Sequence, residues 1–285
     1  MGKLYLGTQE ITPLIYDTVE SPGIPRKLAS DGSLTLPNDV TSYVMPSGYK
    51  KLYAYAFMYA FYGCTSLQSA DLSSIEYTVE DGLYYAFRGC TGLTSVDIHN
   101  IEEVGQNGMT YTFYGCSGLT SVDLSKLEVV ASSGMNYAFY YCSNITSVDL
   151  SGVKTIGQSA LSYCFARCSS LTTISFPELL SIGYRGLYYT FNTCTSLTSF
   201  SFPKLAVIDS QAFTYAFRAC SNLTSVSFPA LTTNSFGGDV DQFSNMLTQC
   251  TNVTVHFPSS LSSTIPNFTG YPNFGGTNTT VLFDL

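Results

Sequence analysis

The sequence predicts an α/β repeat solenoid, in which 26-residue strand–helix coils stack into a parallel β-sheet on one face and are closed by capping ends. Three observations carry that expectation. Cys64, Cys90, Cys116, Cys142, Cys168, Cys194 and Cys220 recur at an unbroken spacing of 26 residues, and a fixed period of that size marks a stacked array. Apolar residues stand three, six and eight positions after each cysteine, with another at eleven, as in Leu93, Val96, Ile98 and Ile101. Before the cysteine, "QAFTYAFRAC" (residues 211–220) sets Phe213, Ala216, Phe217 and Cys220 at i, i+3, i+4 and i+7, the spacing of one helical face. A strand and a helix that each bury a single face cannot stand alone, so the coils must stack.

Residues 1–35 read as an N-terminal capping region. There "KLYLG" and "ITPLIY" have strand character, and a Gly/Pro-rich stretch, "SPGIPRKLASDGS", follows. Residues 36–285 form the solenoid with its C-terminal cap, giving one structural domain overall. The coil between Cys220 and Cys250 is longer, at 30 residues, and "SFGGDVD" (residues 235–241) is the inserted loop. "VTVHFP" (residues 253–258) keeps the strand pattern, and "TVLFDL" at the end is the expected closing strand. Atypical terminal units are expected, because they must hide the open end of the core.

The spacing L-x-x-L-x-L, followed by an apolar residue three positions on, is the strand signature of a leucine-rich repeat. The spelling of the coils, as in "TIGQSALSYCFARCSSLTTISFP" (residues 155–177), closely resembles the bacterial BspA-like, or Treponema pallidum-type, leucine-rich repeats. That family's usual unit is shorter, and the longer coil here reads as one extra helical turn, which would keep the apolar face in phase. The resemblance covers residues 40–258. It implies a non-enzymatic binding or adhesion module of a bacterial surface that recognises a host protein or a glycan. The alternative is a phage or prophage tail-associated structural or receptor-binding protein, suggested by the opening "MGKLYLGTQEITPLI".

Composition narrows the function classes. With 45% hydrophobic residues the chain can bury a core, unlike a disordered chain. Twelve basic against 20 acidic residues, with no basic cluster, argue against nucleic-acid binding, which needs clustered Lys and Arg on phosphates. The longest apolar stretch, "LYAYAFMYAFYGC" (residues 52–64), is too short and interrupted for a membrane span. No secretory signal is visible. The expected location is nonetheless the cell surface or exterior, with a virion or prophage particle as the alternative.

Enzyme chemistry finds no foothold. His99 and His256 are the only histidines, and neither belongs to a metal or protease motif. No nucleophile elbow or phosphate loop is present. The cysteines form one column with one member per coil, whereas a zinc site needs pairs converging on a point. Each falls on the same face as Phe, and a buried free cysteine behaves as a small apolar residue. No cofactor or metal is expected.

Three exposed columns are candidates for contact. Seven positions after cysteine stand Asp71, Asp97, Asp123 and Asp149, then Ser175, Ser201 and Ser227. Four carboxylates on neighbouring rungs repel by about 1 kcal/mol per pair in water. Either they form a solvated face that discourages aggregation, or they meet a basic ligand or a divalent cation. Beside them runs a hydroxyl column that includes Thr94, Thr120 and Thr146. It reads as ordinary strand propensity or as a docking surface for a repetitive ligand. Tyr59, Tyr85, Tyr111, Tyr137, Tyr163, Tyr189 and Tyr215 form the third column, on the convex side, where coil-to-coil packing is the preferred reading over sugar or protein contact.

Overall fold

The computed structural model describes residues 40–45 and 48–285, together with the backbone of four short strands, Lys3–Leu6, Gln9–Ile11, Lys27–Leu28 and Leu34–Thr35. The first of these runs antiparallel to both Gln9–Ile11 and Ser42–Val44. Most of "ITPLIY" and of the Gly/Pro-rich stretch lies outside the described residues.

Each coil has three sides. On the first, three-residue strands such as Ser69–Asp71, Ser95–Asp97, Ser121–Asp123 and Ser147–Asp149 form a parallel row. Their register is one coil: Ser69 pairs with Ser95, and Ser121 with Ser147. The row continues through Ser199–Ser201, Ser225–Ser227 and Thr254–Phe257 and ends on Thr280–Phe283, which lies parallel to its neighbour. The second side is a seven-stranded parallel sheet of two-residue rungs running from Lys51–Leu52 to Val207–Ile208. A strand–helix coil has no strand there, although β-branched pairs such as Val129–Val130 and Thr155–Ile156 mark it.

The third side corrects the expected fold class. No α-helix occurs among the described residues, so the strand–helix coil becomes a strand–strand–turn coil. The segment before each cysteine is a run of overlapping turns in which every fourth residue takes a positive φ: Asp81 at 54°, Tyr85 at 57° and Gly89 at 75°. The backbone hydrogen bonds explain why this is stable. The amides of Tyr84, Ala86, Arg88 and Cys90 each donate to the carbonyl three residues back. The alternating amides of Leu83, Tyr85, Phe87 and Gly89 donate instead to Gly108, Thr110, Thr112 and Tyr114 of the next coil. A helix would spend all of these donors inside its own coil. The turn run satisfies each one and zips neighbouring coils together at the same time.

That geometry keeps the apolar columns in phase. Leu83, Ala86, Phe87 and Cys90 are all buried, because a four-residue turn period returns the same positions inward. The phenylalanine three residues before each cysteine stacks on its counterpart in the next coil, with ring centroids 4.8 Å apart for Phe61–Phe87 and 5.2 Å for Phe113–Phe139. Offset aromatic pairs of this kind contribute about 0.5–1.5 kcal/mol each beyond their area. All nine cysteines are buried, and none forms a disulfide. Each Sγ from Cys90 onward in the column donates to a phenylalanine carbonyl of the preceding coil, as Cys116 does to Phe87 at 3.0 Å and Cys142 to Phe113 at 3.1 Å. Burial pushes the Cys142 thiol up to about 12 and the Cys250 thiol to about 11.

One core position breaks the pattern. Thr78 occupies the inward site of a second-row rung held elsewhere by Val104, Val130, Ile156, Ile182 and Ile208. It is 2% exposed, and its Oγ1 has no hydrogen-bond partner. A buried hydroxyl without a partner costs about 1–3 kcal/mol, and valine has nearly the same shape. Thr78→Val is therefore expected to stabilise the chain by about 1–2 kcal/mol, seen as a higher denaturant midpoint at unchanged slope. A lower midpoint would show that the hydroxyl is satisfied after all.

Candidate functional site

The first strand row presents the outward columns singled out in the sequence. Asp97, Asp123 and Asp149 are exposed and Asp71 is half-buried. They do not stand idle, because each closes a turn at the end of its strand. Oδ1 of Asp71, Asp123 and Asp149 accepts the amide of the residue two positions on, Ser73, Ser125 and Ser151, at 2.9 Å in each case. Oδ1 of Asp97 accepts the His99 amide and also meets the His99 ring. The bond from the Ser125 amide, supported by its hydroxyl, holds the Asp123 carboxyl below the usual carboxylate range.

This turn accounts for the change along the column. Where serine replaces aspartate, at Ser175, Ser201 and Ser227, the residue two positions on is Pro177, Pro203 or Pro229. Proline has no amide hydrogen to offer, so the carboxylate has nothing to cap. The exchange of "D-L-S" for "S-F-P" is visible in the sequence, and it is the signal that reading the column by charge alone passes over.

The threonine column is similarly committed. The hydroxyl of Thr94 donates to the Gln68 carbonyl at 3.1 Å, and that of Thr146 to the Thr120 carbonyl at 3.0 Å. These bonds tie each coil to the one before. Thr120 lies exposed in the same column. What the face leaves for a ligand is the second oxygen of each aspartate and the serine hydroxyls. Two of those, Ser227 and Ser201, already bond each other at 2.9 Å.

Two shallow depressions lie on this face. One, of about 460 Å³, brings together Asp123, Asp149 and Ser175 over Val148 and Ile174. The other, of about 420 Å³, is lined by Ser175, Ser201 and Ser227 over Phe200. They share Ile174 and Ser175, and they meet at one of two places where pairing along the strand row lapses, the other lying between Ser95–Asp97 and Ser121–Asp123. Residues 173–175 keep a single bridge, Ser147 to Thr173, towards the coil before, and no strand pairing joins them to Ser199–Ser201. Phe200 stands at this seam, where most coils carry valine at the middle of the strand.

The tyrosine column is a ladder. From Tyr59 to Tyr215 the rings stack with centroids between 4.5 and 5.0 Å. Every one of these tyrosines sits at a positive φ of 54–57°, a conformation uncommon for a bulky side chain. The stacking offsets that cost. Because each ring face is covered by a neighbour, the column offers edges rather than stacking platforms. A second aromatic line runs alongside it, with the Arg88 guanidinium 5.5 Å from the Tyr62 ring and 4.7 Å from Tyr114, and Tyr114 stacked on Tyr140 at 5.0 Å.

Among the described residues no group of three or more His, Cys, Asp or Glu side chains converges as a metal site. No helix among them is long and apolar enough to cross a membrane.

No curated protein matches the chain. Among solved structures, it is similar to a leucine-rich repeat protein of T. pallidum, at 20% identity over 90% of this chain and 95% of that one, with a TM-score of 0.40. A leucine-rich cell surface protein of Faecalibacterium prausnitzii A2-165 aligns at 16% identity over 94% and 95%, with a TM-score of 0.37. A leucine-rich repeat protein of Bacteroides ovatus aligns at 15% identity over 94% and 100%, with a TM-score of 0.25. The model of the BspA type leucine-rich repeat region matches residues 57–164, 107–215 and 135–268, in six copies. Those stretches together run from residue 57 to residue 268, well over half of the chain, and the chain belongs to the BspA-type leucine-rich repeat family.

Proposed function

We propose that the chain is a non-enzymatic binding module that presents its first strand row to a protein or glycan ligand outside the cell. The observation that carries this reading is the pair of adjoining depressions on that row, lined by carboxylates and hydroxyls over a partly apolar floor. Concave sites with a few convergent polar groups are where ligands are expected. The other faces supply less. The second row is crossed by ion pairs between coils, such as Lys50–Glu76 and Lys204–Glu178, and the turn face is occupied by its own tyrosine stack.

The test is an array of glycans and matrix proteins probed with the native chain and with a variant carrying Asp71→Ser, Asp97→Ser, Asp123→Ser and Asp149→Ser. Serine can still accept the amide two residues on, so the turns persist while the charge goes. A ligand bound by the native chain and weakened about tenfold or more in the variant supports the reading. Binding untouched by the four substitutions moves the site off this face and overturns it.

A further inference from the structure

Resting on the binding-module reading, we infer that the two depressions are one groove for a linear amino-sugar polymer, a glycan whose sugar units carry protonated amines. The groove changes chemistry along its length. At one end Asp123 and Asp149 are register partners on adjacent strands, and each turns one oxygen inward to its own backbone, which leaves the other for a ligand. At the other end Ser175, Ser201 and Ser227 offer hydroxyls without charge. From Asp123 to Ser227 is four strand spacings, roughly 19 Å at about 4.8 Å each, the length of a short oligosaccharide.

The outward positions of the row fix the sign of the ligand. The three columns that hold Thr94, Ser95 and Asp97 carry no lysine or arginine in any coil from Gln68 to Ser227, and the whole chain has a formal charge of −8. A cation is complementary to such a face, and an anion is not. The floor decides between kinds of cation. Ile174 and Phe200, only 8% and 5% exposed, close the seam from below, and Pro177 and Pro203 on its border present the apolar surface for the C–H faces of a sugar ring. The serines match its hydroxyls as donors and as acceptors. A lysine-rich peptide would use the two carboxylates but meet the serine half with its backbone alone, its ammonium groups finding no charge there. An uncharged glycan would use the serines and leave the carboxylates unmatched.

Three probes of matched length separate these possibilities by titration calorimetry at about pH 5.5, where amines are protonated and most carboxylates ionised. They are a glucosamine hexamer, an N-acetylglucosamine hexamer and hexalysine. The glucosamine hexamer is expected to bind about tenfold or more tighter than either of the others. Its binding should weaken by a similar factor in an Asp123→Asn, Asp149→Asn double variant, where the amide oxygen still closes each turn, and separately in Ser201→Trp, which fills the serine half with a residue suited to a strand. Circular dichroism and thermal melting establish that both variants fold. Hexalysine binding as tightly as the glucosamine hexamer overturns the inference, as does acetylated hexamer binding equally well, or glucosamine binding unmoved by both variants. Should the glucosamine hexamer not bind while another ligand is lost on the four-aspartate variant, the inference fails and the binding-module reading stands. If no strand-row variant changes any binding, both fail.

Discussion

Phe139→Ala is expected to destabilise the chain by about 3–5 kcal/mol, the cost of truncating a buried aromatic ring to a cavity. The ring is fully buried and stacked on both sides, at 5.2 Å from Phe113 and 5.4 Å from Phe165. Its backbone is tied to the following coil as well. The Phe139 amide donates to Cys164 of the next coil, and its carbonyl accepts the Cys142 amide and the Cys168 thiol. In a stack where each coil touches only its neighbours, stability is close to a sum of coil and interface contributions, so damage at a central coil weakens two interfaces together. Urea unfolding followed by circular dichroism measures the loss. A second transition would appear if the two flanking halves lose cooperativity. A loss below about 1 kcal/mol would mean that the column relaxes around the cavity, against the tight packing of the ladder.

The period, the buried Phe and Leu columns and the first strand row were legible in the sequence because they depend on burial alone. The return half was not. Leu83, Ala86, Phe87 and Cys90 sit at i, i+3, i+4 and i+7, and that spacing satisfies a helix and a run of four-residue turns equally well over so short a window. What separates them is a position-by-position signal. Gly63, Gly89 and Gly115 recur one residue before cysteine, at φ values of 70–75°, and Asp81 and Asn107 recur eight residues earlier, also at positive φ. Glycine, aspartate and asparagine every few residues speak against a helix interior and for left-handed turn positions. The tyrosine between them hid the pattern, because its own preference is against that conformation, and the hydrogen bonds between coils together with the stack along the ladder hold it there. The aspartate column was located in the sequence, but its capping role appears only when it is read together with the proline two positions on.

All nine thiols are expected to resist labelling by a disulfide reagent in the folded chain, and to react fully in denaturant. The thiolate is the reacting species, and two effects suppress it. Burial raises the thiols from Cys90 onward, with Cys142 at about 12 against Cys250 at about 11, so that almost none of these is ionised near neutral pH. Access also requires the coil to open, and if opening is global it costs about 5–15 kcal/mol, which slows labelling by at least three orders of magnitude. The order of reaction carries the structural content. A stack frays from its ends, where a coil has one neighbour to lose rather than two. Cys250, in the lengthened coil beside the inserted loop, should therefore react before Cys142 at the centre. Mass spectrometry of peptides from partly labelled protein reads that order directly. Uniform rates along the column would mean that the solenoid opens only as a whole. A fast central cysteine would contradict a thiol seated 3.1 Å from the Phe113 carbonyl in a closed core, and with it the packing role of the repeated cysteine.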